Sequence, residues 1–393
     1  LRVADGADSR AVLGVDDACR LSGRPESRGT ALVRRSRDTA PHVLRVALCE
    51  PGIVAAAAER HRGDRARRPW LPALPARIPL VSSQTRGGLL LGIADEPDQQ
   101  RQQEVIWNDS ALAVIGGPGS GRTGVLRVVA AQTATVRVPS DPEGAWDALV
   151  DLERTPSGAT VIVDDLDAIL SGLPGEYAAA AADVLEHALR GARARGMRIV
   201  VTTQRAGAGV GRLLDLVPRR LILGTASRAD HVAAGGEAAD FLPDLPPGRG
   251  RLGRTLVQVV DAGPVEEDPQ AALPPSWQPG RRPAAVVLPT GPRSRRLTAA
   301  WERVGVTVTP VGANASLERG GVLVGPPDAW LGQWRLLAAA RADADLVIDA
   351  ACANEYRSLV GSRDLPPFVL PGGGRAWLHA PERPVRRVIL EES

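Results

Sequence analysis

The sequence predicts an α/β fold arranged as tandem modules, each a parallel sheet with flanking helices. Three observations predict it. The β-forming run Ala111-Leu112-Ala113-Val114-Ile115 leads into a glycine-rich turn and then a helical stretch. Downstream, strand-length apolar runs alternate with helix-length amphipathic ones, as a sheet covered on both faces requires. One closing cadence also recurs three times along the 393 residues.

The turn is Gly116-Gly117-Pro118-Gly119-Ser120-Gly121-Arg122-Thr123. It fits the phosphate-loop pattern G-x-x-x-x-G-K-[ST] at every fixed position except one, where Arg122 stands for lysine. Glycines let backbone N–H groups turn inward around phosphate oxygens. The pattern also needs a cation for the β/γ-phosphates and a hydroxyl for Mg²⁺. Arg122 and Thr123 are therefore expected to meet phosphate and metal, with ATP and Mg²⁺ as cofactors. Thr123 to Ala130 reads as the following helix, whose N-terminal dipole favours an anion.

Thr160-Val161-Ile162-Val163-Asp164-Asp165 reads as a Walker B strand. Asp164 is expected to orient the metal and Asp165 to position the attacking water, where a longer glutamate is usual. The basic residues number 48 and every one is arginine. Such a bias could have replaced the loop lysine without any functional message. A planar guanidinium still does not substitute freely for a compact ammonium, so binding without efficient hydrolysis is expected.

Residues 176–195 read as an amphipathic helix. Val184, Leu185, Ala188, Leu189 and Ala192 form its apolar face, Arg190, Arg193 and Arg195 its outer face, and Gly196 its end. The net charge of +3 is compatible with nucleic acid without requiring it. Cys19, Cys49 and Cys352 lie too far apart for a metal motif. No apolar run reaches membrane-spanning length. A start at Leu1, inside the apparent strand Leu1-Arg2-Val3, reads as a fragment of a longer chain.

The cadence divides the chain. Thr30 to Val33 closes a tail at 1–50. Leu221 to Leu223, Pro247 to Gly250 and Thr255 to Gln258 close a complete module at 85–262. Leu346 to Ile348, Pro371 to Gly374 and Ala376 to Leu378 close a degenerate module at 284–393 that has no phosphate loop. Residues 51–84 read as an Arg/Pro-rich linker and 263–283 as a Pro-rich one. The basic run Arg60 to Arg68 reads as a solvated loop rather than a phosphate contact. In the degenerate module, Gly321 to Gly325 stands where a Walker B strand might be but lacks paired acids, and Gly291-Pro292-Arg293-Ser294 is a weak loop signal.

Thr202-Thr203-Gln204-Arg205 closes the strand after Walker B, and Val217-Pro218-Arg219-Arg220-Leu221 follows. Together with the two motifs above, this order resembles the FtsK/SpoIIIE family of P-loop motors. Pro69-Trp70-Leu71-Pro72-Ala73-Leu74-Pro75 and the segment Leu91 to Gln100 are similar to its multi-module actinobacterial members and to the EccC ATPases of type VII secretion. The resemblance implies RecA-like modules, assembly into a homo-oligomeric ring, and a membrane anchor in preceding segments on the cytoplasmic face. It implies a γ-phosphate-sensing role for Gln204 and contacts across the ring for Arg205 and Arg220. The implied substrate is DNA bound without sequence preference. A secreted protein, or a regulatory module that does not hydrolyse, is the alternative.

Overall fold

The computed structural model describes residues 3, 5–35, 37–61, 71–81, 87–207, 209–264 and 273–392. Leu1 and Arg2 of the apparent first strand, Arg62 to Arg68 of the basic run, Pro69, Trp70 and the middle of the second linker lie outside those residues. Val3 carries no strand. The chain forms two compact units, 1–69 and 70–393.

In the first unit, helix α1 (Gly6–Leu13) is capped by Asp5, whose carboxylate accepts from the Ala7 N–H at 2.8 Å. A 3₁₀ turn at Asp17–Arg20 follows, then the antiparallel hairpin β1 (Thr30–Val33) and β2 (His42–Arg45). Helix α2 (Pro51–Arg60) occupies the start of the stretch read as linker. Proline at its first turn and four consecutive alanines explain it.

The second unit contains two sheets. The first runs through β3 (Leu89–Glu96), β4 (Arg101–Trp107), β5 (Ala111–Ile115), α3 (Arg122–Ala130), β6 (Thr135–Val138), α4 (Pro142–Val150), β7 (Thr160–Val163), α5 (Leu166–Ser171) and α6 (Gly175–Gly191). It continues through β8 (Arg198–Thr203), α7 (Gly211–Leu214), β9 (Arg219–Leu223), α8 (Arg228–Ala233), β10 (Arg249–Leu252) and β11 (Thr255–Val259). The strand order is β4-β3-β11-β10-β9-β5-β8-β7-β6. The strands from β9 to β6 in that order are parallel, and the remaining pairings are antiparallel.

Successive side chains of a strand face opposite ways, and β5 uses both faces. Ala111, Ala113 and Ile115 pack into the core formed with α4, α5 and α6, while Leu112 and Val114 pack against Val125, Leu126, Val128 and Val129 of α3. Burying each large aliphatic contributes roughly 1.5–3 kcal/mol. Helix α6 buries Leu185, Ala188 and Leu189 as its pattern predicts, but it ends at Gly191 rather than Gly196. Arg195 is turned inward, donating to the carbonyls of Leu152 and Glu153 at 3.2 Å each.

The second sheet contains β12 (Ser276–Trp277), β13 (Ala284–Val287), α9 (Pro292–Arg303), β14 (Thr307–Pro310), β15 (Gly321–Gly325), α10 (Pro327–Gly332), α11 (Trp334–Asp343), β16 (Asp345–Asp349), α12 (Tyr356–Val360), β17 (Arg375–His379) and β18 (Arg386–Leu390). Its order is β12-β18-β17-β16-β13-β15-β14. The β15 strand lies directly beside β13 and β17 pairs antiparallel with β16. Ala376 to Leu378 therefore holds the place of β10, which pairs antiparallel with β9, and not that of Thr255 to Gln258 in β11. The sequence alignment of the repeat's last strand is one strand out.

A half-buried titratable pair marks this second sheet. His379 Nε2 lies 2.6 Å from Tyr356 Oη, and burial holds the imidazole near pKa 4 instead of 6.5. The unfolded chain takes up that proton near pH 6.5 and the folded one only near 4. The stability His379 confers is thus complete above pH 6.5 and is lost as pH falls toward 4. Urea unfolding should show about 1–2 kcal/mol of this loss between pH 7.5 and pH 5, after discounting for partial exposure. His379→Gln should flatten the pH slope by that amount.

Candidate functional site: a phosphate loop beside paired aspartates

The loop Gly116 to Gly121 spans the tip of β5 and the start of α3. It is stitched to its neighbours by backbone bonds. Gly116 N–H donates to Thr203 O at 3.2 Å, Gly117 N–H to Gly224 O at 2.8 Å, and Gly248 N–H to Ser120 O at 2.8 Å. Gly119 and Gly121 take left-handed φ values of 73° and 101°, the kind of backbone conformation from which anion-binding nests of N–H groups are made. The first N–H groups of α3 have no intrahelical acceptor, and the Ser120 hydroxyl is buried without a partner. This is a cradle with donors to spare, and it fits phosphate oxygens.

The loop opens onto a cavity of about 620 Å³. Pro118 aside, the loop from Gly117 to Thr123 lines one wall. The opposite wall comes from Pro247 and Gly248 in the turn before β10, from Gln258 and Val259 of β11, and from Arg77. Sequence reading missed this wall, because Arg77 belongs to the stretch read as linker. That stretch is fixed to the start of β10 and just past the end of β11. Arg249 donates to Leu74 O at 2.6 Å and Pro75 O at 2.9 Å, and Asp261 N–H donates to Ile78 O at 2.7 Å.

Paired strands bring the other site residues in. The β7 and β5 strands are separated only by β8, so the Walker B tip stands beside the loop. Thr123 Oγ1 donates to Asp164 Oδ2 at 3.3 Å. The buried Thr202 of β8 donates its hydroxyl to Asp164 Oδ1 at 2.5 Å and accepts from Asp165 N–H at 2.8 Å. Thr202 thus orients the acid, a role its place in the T-T-Q-R segment did not disclose. Thr123 and Asp164 are hard oxygen donors suited to Mg²⁺, with the rest of an octahedral shell left to phosphate and water.

Arg122 Nη1 lies 2.5 Å from Asp165 Oδ1. The contact is an ion pair without hydrogen-bond alignment, since neither atom has such a partner. Asp165 caps α5 with a left-handed φ of 48°. Burial raises its pKa above the ordinary carboxylate value, Arg122 opposes that, and Asp164 and Asp167 add to it.

The other sequence-predicted residues sit apart from this cluster. Gln204 follows β8, and its N–H donates to Asp167 Oδ2 at 3.3 Å. Arg205 is largely exposed, 3.8 Å from Asp230. Arg220 donates to Leu214 O and Asp215 Oδ1, both at 2.9 Å, and so ties down α7.

Among the described residues, the second sheet has no equivalent cradle. Four residues, Leu288 to Gly291, join β13 to α9, where six, Gly116 to Gly121, join β5 to α3. Arg293 fills the space beside them by ion-pairing with the buried Asp349 at the tip of β16.

No protein-family model matches the chain, and no curated protein matches it. Solved structures of similar fold include EssC ATPases 2 and 3 of Geobacillus thermodenitrificans (11% identity, TM-score 0.43, covering 81% of this chain and 99% of that one). They also include the cytoplasmic domain of the type VII secretion ATPase EccC of Thermomonospora curvata (14%, 0.46, 100% and 73%). A third is the pCW3 conjugation coupling protein TcpA with ATPγS (16%, 0.39, 65% and 94%). At these values the likeness says nothing about substrate. By its own motifs and strand order, the chain has a RecA-like P-loop fold and resembles the FtsK/SpoIIIE-type ATPases.

Proposed function

We propose that residues 85–262 bind ATP with Mg²⁺ as one module of an FtsK/SpoIIIE-type ring motor. The proposed layout keeps a preceding module's tail at 1–50 and a degenerate module at 284–393. The observation that carries this reading is the loop lining a cavity from Gly117 to Thr123, with Asp164 bonded both to Thr123 at its end and to Thr202 of the neighbouring strand.

In this reading the backbone N–H groups of Gly119 and Gly121 hold phosphate oxygens, and Arg122 neutralises their charge. Thr123 and Asp164 hold the metal, which supplies Lewis acidity when bound. Asp165 stands where a water would be oriented, and Gln204 is the candidate for sensing the γ-phosphate. Arg205 is the stronger candidate for reaching a neighbour's site, because Arg220 would first have to leave Asp215 and the Leu214 carbonyl. A second reading, a nucleotide-responsive module with little turnover, is favoured by the Arg122–Asp165 pair, which ties up both side chains. The polymer served by the ring, DNA on the first reading and a secreted protein otherwise, follows from the resemblance alone, as do ring assembly and anchoring. Among the described residues, no helix is long and apolar enough to cross a membrane.

MgATP at 100 times its Kd should stabilise the chain by about 2.7 kcal/mol, read as a rise in thermal midpoint. Thr123→Ala should weaken binding roughly tenfold with Mg²⁺ and leave it unchanged in EDTA, since the hydroxyl meets the metal. No shift at millimolar ATP would leave the loop a scaffold.

A further inference from the structure

We propose that Asp165 makes this site favour a nucleoside diphosphate over a triphosphate, by standing as an internal anion on the loop cation. The inference rests on the nucleotide-binding reading above and adds a specificity that it does not contain.

A phosphate-loop cation serves the β- and γ-phosphates, whereas the backbone cradle serves the α- and β-phosphates. Here the cation is already engaged. Arg122 is only 11% exposed and its guanidinium lies 2.5 Å from the Asp165 carboxylate. The acid pair at the tip of β7 marks the side on which the terminal phosphate and its metal sit. The Asp165 carboxylate therefore holds, relative to Arg122, the station of a γ-phosphate. A diphosphate fills the cradle and leaves the ion pair whole. A triphosphate brings a second anion to the same guanidinium, beside a carboxylate that Asp164 and Asp167 already crowd with like charge.

Asp165 is also held where it is. Its N–H donates to Thr202 Oγ1 at 2.8 Å and to Asp164 Oδ1 at 3.1 Å, and its φ of 48° is fixed at the cap of α5. Only the side chain can give way, and it has one methylene with which to do so. The arginine and the aspartate thus act together. The long cation and the short acid meet, and each explains the other's departure from the usual pattern.

The test uses the full 393-residue chain, titrated calorimetrically with MgADP and with the magnesium complex of β,γ-imido-ATP. The unaltered protein should bind the diphosphate at least fivefold more tightly. Asp165→Asn should tighten the triphosphate analogue about tenfold and leave the diphosphate within twofold. Asparagine tolerates left-handed φ well, so the cap and the fold are expected to survive, and an unchanged thermal midpoint confirms that. Equal affinities in the unaltered protein overturn the proposal without any variant. Equal tightening of both ligands in Asp165→Asn also overturns it, because Arg122 would then be a general phosphate cation. Either result leaves the nucleotide reading standing. Failure of both ligands to bind overturns the nucleotide reading, and the diphosphate preference with it.

Discussion

Glu143→Ala should cost the second unit about 3 kcal/mol of stability. Glu143 is 6% exposed, and its Oε1 accepts from the Leu370 N–H at 2.8 Å and from Arg375 Nε at 2.7 Å. It lies in the first turn of α4, on the first sheet, while the donors come from the segment before β17 (Leu370) and from the first residue of β17 (Arg375) on the second. Around it, Arg387 donates to Asp147 Oδ1 at 2.7 Å and to Glu143 O at 3.0 Å. Phe368 lies edge-on to Tyr177, with centroids 5.1 Å apart, and Tyr177 to Trp146 at 4.8 Å. Removing one partner of a buried pair leaves the other charged and unsatisfied, which costs roughly 3–5 kcal/mol. Arg375 retains some solvent contact, which sets the lower end. Urea unfolding of the whole chain measures it. A loss below about 1 kcal/mol would mean that the Glu143 carboxylate adds no more to the junction than one ordinary hydrogen bond does.

Gly121→Ala should abolish nucleotide binding. Two effects coincide there. The φ of 101° strains any residue with a side chain by about 1–3 kcal/mol. The added Cβ would also sit 2.5 Å from Gly248 N, closer than such atoms ever approach. The turn at Gly248 must then retreat, which breaks its bond to Ser120 O and opens the cradle. No MgATP binding should be measurable, a loss well beyond the tenfold that corresponds to about 1.4 kcal/mol. Gly119→Ala makes a useful contrast. Its φ is also positive, but open space surrounds its Cβ position, so it should retain more binding.

Local pattern made the cradle, β5 and β7 legible, because each depends on residues adjacent in sequence. Adjacency across the sheet was not legible. Nothing in the linear order of Thr202 indicates that β8 runs between β5 and β7 and aims its hydroxyl at Asp164. The substitutions at Arg122 and Asp165 were visible one at a time, yet their contact appears only when the strands are placed. The wall formed by Arg77, Pro247 and Gly248 was hidden for a similar reason. Proline-rich segments carry no periodicity, and what fixes Leu74 to Ile78 is Arg249 and Asp261, over 170 residues away in sequence. Helix α6 stops short of Gly196, and Arg195 beyond it bonds to carbonyls of the neighbouring turn instead of facing solvent, which periodicity does not show.

The central claim is a single nucleotide site per chain, built on Gly116 to Thr123, with Arg293 and Asp349 closing the corresponding place in the second sheet. Equilibrium titration of the whole chain with MgADP, with the stoichiometry taken from an active-protein concentration, tests it most directly. The account predicts one nucleotide bound per chain in the unaltered protein and none in Gly121→Ala. Two per chain, or one that persists in Gly121→Ala, would contradict it.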